Sequence, residues 1–283
     1  DVAAKYYKWS NGRHFFGRDA YANYLLVGST ELGEAMFQTN DGKAAFHLNR
    51  EILRRMWDNF VVPYAEGYYD AAGRYRSDDM KTGELIAFVG ATSSAGFAPT
   101  QVTAPDGTVT DIEVRVLEVP SFAGVEQRCA VQQGAGMVIL KKSDVEVEAS
   151  VRFLKWFTQS DWAIEFSVTS GYLPVTAEDN DMVKIEKDSP SMKKNVRDSL
   201  STAVQVVRQN TLYTSKAFKN GTSARKKLEY AMSDAAKADR QSVVEAIENG
   251  ATQEAAVAAF VSEERFDAWY AQLMDELNEL AAQ

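Results

Sequence analysis

The chain has one cysteine, Cys129, and two histidines, His14 and His47. A single thiol excludes an internal disulfide framework and a four-cysteine metal site. Two histidines argue against a histidine-rich metal centre. No apolar run approaches the roughly 20 residues of a helical membrane span. The opening DVAAKYYKWS carries no signal-peptide pattern and reads as mid-helix. Basic blocks are missing too: Lys and Arg total 31 against 40 Asp and Glu, a net charge of -9. Nucleic-acid binding, which needs clustered Lys and Arg, is not expected. Two catalytic signatures fail on spacing. GATSSAG, residues 90–96, lacks the Gly-Lys-Ser/Thr of a P-loop and the Gly-x-Ser-x-Gly of a nucleophile elbow. Asp179-Asn180-Asp181 is too short for a calcium loop. Cys129, among apolar neighbours, reads as a small core residue. No cofactor or metal is expected.

What is present is globular. Apolar residues make up 45% and charged residues 25%, and 283 residues suffice for a large core in two packed units. The strongest pattern runs from Gly134 to Val175. Val138, Ile139 and Leu140 follow two glycines and read as a strand covered on both faces. Ser143-Asp144-Val145-Glu146 is a capping box that opens a helix. On that helix Glu148, Arg152, Lys155 and Gln159 form one narrow polar stripe. Val147, Val151, Phe153, Leu154, Trp156 and Phe157 fill the rest, so burial on most of its circumference is expected. Ser160 and Asp161 restart a second helix, which Gly171 ends as a left-handed cap. Tyr172-Leu173-Pro174 then leaves in extended form.

Elsewhere the local signals are ordinary. Ala3–Trp9 reads as a helix stopped by Asn11-Gly12. Asp19 is placed to cap a helix whose apolar side includes Tyr21, Tyr24, Leu25 and Val27. Asn40-Asp41-Gly42 marks a hairpin within Phe37–Phe46. Asn49 caps a helix through Ile52, Met56 and Phe60, with Pro63 at its end. A loop with Tyr64, Tyr68, Tyr69 and Tyr75 follows, its rings free to stack on a sugar or to pack the loop down. Ser77 and Asp78 begin a helix to Gly83, and ELIAFVG is a strand. Pro105-Asp106-Gly107 is a turn, and the alternating Ile112, Val114 and Val116 give a half-exposed strand ended by Pro120. RCAVQQG is a further strand. Val196, Leu200, Val204 and Val207 mark one amphipathic face. Thr252 caps an alanine-rich helix, and Phe266, Trp269, Tyr270, Leu273 and Leu277 line the last one.

Strand, capped helix and the run FLKWFTQSDWAIEFSVTSGYLPV together resemble the extracellular solute-binding proteins of bacterial ABC importers, the group that includes sugar and oligosaccharide binders. The resemblance implies an α/β, helix-rich, periplasmic-binding-protein-like two-lobe fold (type II). It assigns residues 1–118 and 179–283 to the C-terminal lobe and 119–178 to a remnant of the N-terminal lobe, with hinge crossings near 118–122 and 172–180. It begins well inside the family pattern, so a first-lobe segment on the order of a hundred residues is expected to be missing. Apolar side chains left uncovered on the 143–159 helix would then cost about 1.5–3 kcal/mol each when fully exposed. Such a face and a bare sheet edge invite self-association.

The resemblance also implies a site. Asp19 and Asn23 lie at the helix start that reaches the ligand cleft in that family. Thr92, Ser93 and Ser94 form the small polar loop after a strand, and their hydroxyls suit a polyhydroxylated solute. Tyr172 belongs to the turn near the interlobe hinge. Phe218 and Arg225 stand where the chain returns to the C-terminal lobe. Asn220-Gly221-Thr222 departs from the aromatic that some sugar-binding members carry nearby. Read as residues alone, Asn23 equally suits a solvated face and Thr92–Ser94 a polar turn.

The implied function is capture of a small solute, with aromatics at 11% leaning towards carbohydrate, by hinge closure and delivery to the ABC permease membrane subunits. The implied place is the outer face of the cell membrane, as a lipoprotein. Two other classes stand beside it. A hydrolase could use two carboxylates, but pair geometry is not legible in a chain with 40 Asp and Glu. A helical protein-interaction module could be built from the residues beyond Pro190.

Overall fold

The computed structural model describes residues 1–41, 43–104 and 106–282. Helices dominate. α1 (Val2–Trp9) stops where Asn11 and Gly12 take φ values of 60° and 95°. β1 (Phe16–Arg18) leads into α2 (Tyr21–Glu31), and β2 (Phe37–Asn40) pairs antiparallel with β3 (Lys43–Phe46). α3 (Arg50–Ala65) starts at Asn49, whose side chain accepts from the amides of Glu51 and Ile52. Pro63 lies inside α3 rather than ending it; the helix runs two residues further. α4 (Arg76–Thr82) ends at Gly83, with φ of 76°. β4 (Ala87–Val89) precedes a 3₁₀ turn at Thr92–Phe97, then β5 (Gln101–Thr103) and β6 (Val109–Asp111) pair. Gly42 and Pro105, central to the two turns read from the sequence, lie outside the described residues.

The second half opens with β7 (Cys129–Val131), α5 (Asp144–Phe157) and α6 (Ser160–Ser170). α7 (Met182–Asp188), α8 (Lys194–Gln209) and β8 (Thr211–Tyr213) follow, β8 lying parallel to β7. α9 (Gly221–Glu248), α10 (Gln253–Ala258) and α11 (Glu263–Ala282) finish the chain. Among the described residues each sheet is a single pair of strands.

The main core is helical. Leu53, Met56, Trp57 and Phe60 of α3 meet Leu228 and Met232 of α9 and Phe266, Trp269 and Leu273 of α11. Leu25 and Leu26 of α2 close it, and the described members of this cluster include none from residues 136–172. A smaller cluster joins Ile164 of α6, Ile185 of α7 and Val196 and Leu200 of α8. Of the tyrosines read as a loop, Tyr64 lies in α3 and donates to Asp70, the Tyr69 ring packs against Phe16 and Phe60, and Tyr75 is exposed.

Three expectations fail here. Val138–Leu140 forms no strand, and Val138 is 84% exposed. No described strand offers it a ladder, so its β-branched residues have nothing to pair with. α5 forms with its capping box intact, yet buries no residue. Its main neighbour is α6, and its rings contact one another: Phe153 to Trp156 at 5.7 Å, Trp156 to Trp162 at 4.8 Å. Likewise Ile112, Val114 and Val116 keep alternating half-burial but extend beyond β6 without a strand partner.

Candidate functional site

β1 and β4 run parallel in register, Arg18 opposite Val89. The Asp19 amide continues the ladder by donating to the Val89 carbonyl at 2.9 Å. The loops after both strands therefore leave from the same, C-terminal, end, where open α/β sheets place ligands. Ala20 then takes a left-handed conformation (φ 56°, ψ 65°) and turns the chain into α2. This conformation costs a non-glycine residue roughly 1–2 kcal/mol.

Asp19 does not cap α2, contrary to the sequence reading. Its carboxylate faces Arg76, Oδ1 to Nε 3.4 Å, and Arg76 is held in turn by Asp79 at 2.5 Å. Burial pushes the Asp19 carboxyl up and the Arg76 charge pulls it back. Glu229 of α9 caps the helix instead. Its Oε1 and Oε2 accept the Tyr21 and Ala22 amides at 3.0 and 2.9 Å, a carboxylate on the positive end of the helix dipole.

One turn earlier on α9, Arg225 donates through Nη2 to Asn23 Oδ1 at 2.6 Å. Asn23 Nδ2 donates to Gln133 Oε1 at 2.9 Å. Asn23 thus ties α2, α9 and the segment after β7. An open hollow of about 180 Å³ is lined by Arg18, Asp19, Arg76, Glu229, Asp234 and Lys237, among others; of the site residues singled out in the sequence only Asp19 lines it, and Asn23 and Arg225 do not. It offers both carboxylate acceptors and guanidinium donors, the mixture that a hydroxylated solute can satisfy.

Thr92, Ser93 and Ser94 sit in the 3₁₀ turn, and Thr92 is three residues beyond Val89, so at most about 11 Å of chain separates them. Ser94 Oγ donates to the Ala91 carbonyl at 2.6 Å, and the Thr92 carbonyl accepts from Ser199 Oγ at 3.2 Å. The turn presses on Gly171 (φ 77°): a Cβ there would lie 2.7 Å from the Ser93 Cα, so only glycine fits. This brings Tyr172 beside Ser93, with its ring 6.1 Å from Phe166. Phe218 stands apart. Its ring packs edge-on against Phe37 at 5.3 Å and Phe46 at 6.0 Å, on the main core.

Arg18, Arg76, Glu229 and Lys237 were not singled out in the sequence. Arg18 directly precedes Asp19, which was the available signal. Glu229 meets α2 across 207 and 208 residues of chain, a pairing with no local signature. Among the described residues no cluster of His, Cys, Asp and Glu could hold a metal. No described helix is long and apolar enough to cross a membrane.

The crystal structure of the cyclic alpha-maltosyl-1,6-maltose binding protein from Arthrobacter globiformis superposes with a TM-score of 0.52 at 15% identity, covering 92% of this chain and 60% of that one. A putative oligosaccharide periplasmic-binding protein from Synechococcus sp. MITs9220 gives 0.49 at 14% identity, with 97% and 65% covered. The chain therefore spans less than two thirds of either protein, and the first of them shows the shared fold. No curated protein sequence matches it. The family model of the bacterial extracellular solute-binding proteins matches residues 1–194, and the chain belongs to that family.

Proposed function

We propose that this chain is the solute-capturing part of an ABC importer, taking a carbohydrate on the extracytoplasmic side and delivering it to the permease subunits. The single observation that carries the reading is the polar hollow at the C-terminal end of β1, in a chain of the solute-binding family. Asp19, Asn23 and Arg225 are the proposed solute contacts, with Thr92, Ser93, Ser94 and Tyr172 on the adjoining turn. A hydroxyl pair accepts well from the forked guanidinium of Arg225 and donates well to Asp19. Residues 1–118 with 179–283 form one lobe in this proposal, 119–178 belongs to the other, and closure between them traps the solute. Lipid anchoring is part of the same proposal, as is self-association through the uncovered rings of α5 and α6.

Titration calorimetry against mono- and oligosaccharides tests the reading. At least one should bind with micromolar affinity, about -8 kcal/mol. Asn23→Ala or Arg225→Ala should weaken it by about 1.5–3 kcal/mol, the range for a hydrogen bond to a charged group. Turnover of a chromogenic glycoside would instead favour a hydrolase, and no saccharide binding at all would retire the carbohydrate reading. Light scattering across a dilution series tests self-association; a monomer at every concentration removes it.

A further inference from the structure

Arg18 is left unexplained by the capping and ion pairs around it. It is 8% exposed and lines the hollow beside α2. Its guanidinium lies over the Tyr24 ring, 4.1 Å from the ring centre. Among the described residues its side chain makes no hydrogen bond or ion pair, and the buried Nε has no acceptor. Asp19 and Glu229 are close enough to act on its charge, but both are engaged elsewhere, Asp19 by Arg76 and Glu229 by the α2 amides. A buried cation without a paired anion destabilises a fold unless something else completes it.

Resting on the proposed solute site, we infer that Arg18 is an anchor for a carboxylate on the solute, so that the solute class is an acidic sugar carrying a uronic acid. A planar carboxylate matches a guanidinium fork through two parallel hydrogen bonds. The tolerated charge is small, because Asp19, Glu229 and Asp234 offset three of the four cations, Arg18, Arg74, Arg76 and Lys237, that line the same hollow. A monoanion balances the remaining charge, whereas a phosphate dianion exceeds it. The hydroxyls of the same sugar remain for Asp19 and its neighbours.

The test is calorimetry on the full chain with matched sugars: glucuronate against glucose, galacturonate against galactose, each as monomer and short oligomer, with glucose 6-phosphate as a third arm. The acidic member of a pair should bind about 10- to 100-fold tighter, the worth of a charged hydrogen-bonded contact. Arg18→Met should erase that difference and raise the melting midpoint of the ligand-free protein, since it removes the unpaired charge. A residue with only a structural role would lower the midpoint. Arg18→Lys, which keeps the charge and loses the fork, should fall between in affinity and serves if the Met variant does not fold. Equal binding of neutral and acidic members, unchanged by either variant, would overturn this inference and leave sugar capture standing. A preference for the phosphate would overturn the class, and binding of no sugar would overturn both readings.

Discussion

Trp57 of α3 and Trp156 of α5 sit on helices that begin alike, each at a side-chain cap, Asn49 for one and Ser143 for the other. They end in opposite surroundings. Trp57 is 0% exposed, its ring 4.9 Å from Trp269 and 5.9 Å from Phe266. Trp156 is 42% exposed and Phe153 beside it 52%. Local signals start both helices, but cover comes from distant chain, and α9 and α11 supply it only to α3. An apolar face therefore states a demand without naming what meets it. Truncation sharpens the contrast most. Trp57→Ala should cost about 3–5 kcal/mol, and Trp156→Ala under about 1 kcal/mol, because little contact or cavity is at stake there. Urea unfolding followed by circular dichroism reads both; similar losses would show that α5 is covered after all.

The second region has a different fastening. Asp179 is buried between α6 and α7, accepting from Ser160 Oγ at 2.6 Å, Thr176 Oγ1 at 2.6 Å and Lys184 Nζ at 2.7 Å. Burial pushes its carboxyl up, but the hydrogen bonds from Lys184, Ser160 and Thr176 outweigh it and hold the value at about 2, below the usual 3.8. The folded value lies below the unfolded one, so the unfolded chain binds the proton more readily. The stabilisation is complete above about pH 4 and is lost as the pH falls towards about 2; it amounts to about 2 kcal/mol. Asp179→Asn should lose that amount at neutral pH and flatten the acid limb. An unchanged acid limb in the variant would mean that apolar contacts of Ile164 and Ile185 alone hold this region.

The caps at Asn49, Ser143, Gly83, Gly171 and Thr252 were legible because each is satisfied within a few residues of its own position. The faces of α3, α8 and α11 were legible because periodicity reports burial whatever the partner. Val138–Leu140 misled for the converse reason: a strand is defined by its neighbour, and none of the described strands pairs with it. The hydrogen bond between Arg225 and Asn23 brings together two candidates taken from far-apart segments. Asp19 was read as the cap of α2, and its carboxylate faces Arg76 instead. The capping Glu229 and the buried, unpaired Arg18 depend on tertiary packing that composition and periodicity do not encode. Phe218 illustrates the limit on the other side: an aromatic beside a turn suits a cleft and a core equally, and here Phe37 and Phe46 take it.

The smallest expected effect also divides the two regions. Removing an N-cap side chain costs about 1 kcal/mol in either helix. In α3 that loss belongs to the main core, so Asn49→Ala should shift the global unfolding midpoint. α5 buries nothing, so its opening need not involve the rest of the molecule. Ser143→Ala should leave the global midpoint nearly still and lower hydrogen-exchange protection across the first turn of α5 about fivefold. The reciprocal Glu146 contact gives a second sign. Hydrogen bonds from the Ser143 hydroxyl and amide hold the Glu146 carboxyl below its usual range, so the box is complete above that range and is lost as the pH falls through it. Wild-type α5 should therefore lose protection in mild acid while Ser143→Ala changes less. If Ser143→Ala moves the global midpoint as far as Asn49→Ala does, α5 is part of the same cooperative unit as α3, and the division between a covered and an uncovered helix fails.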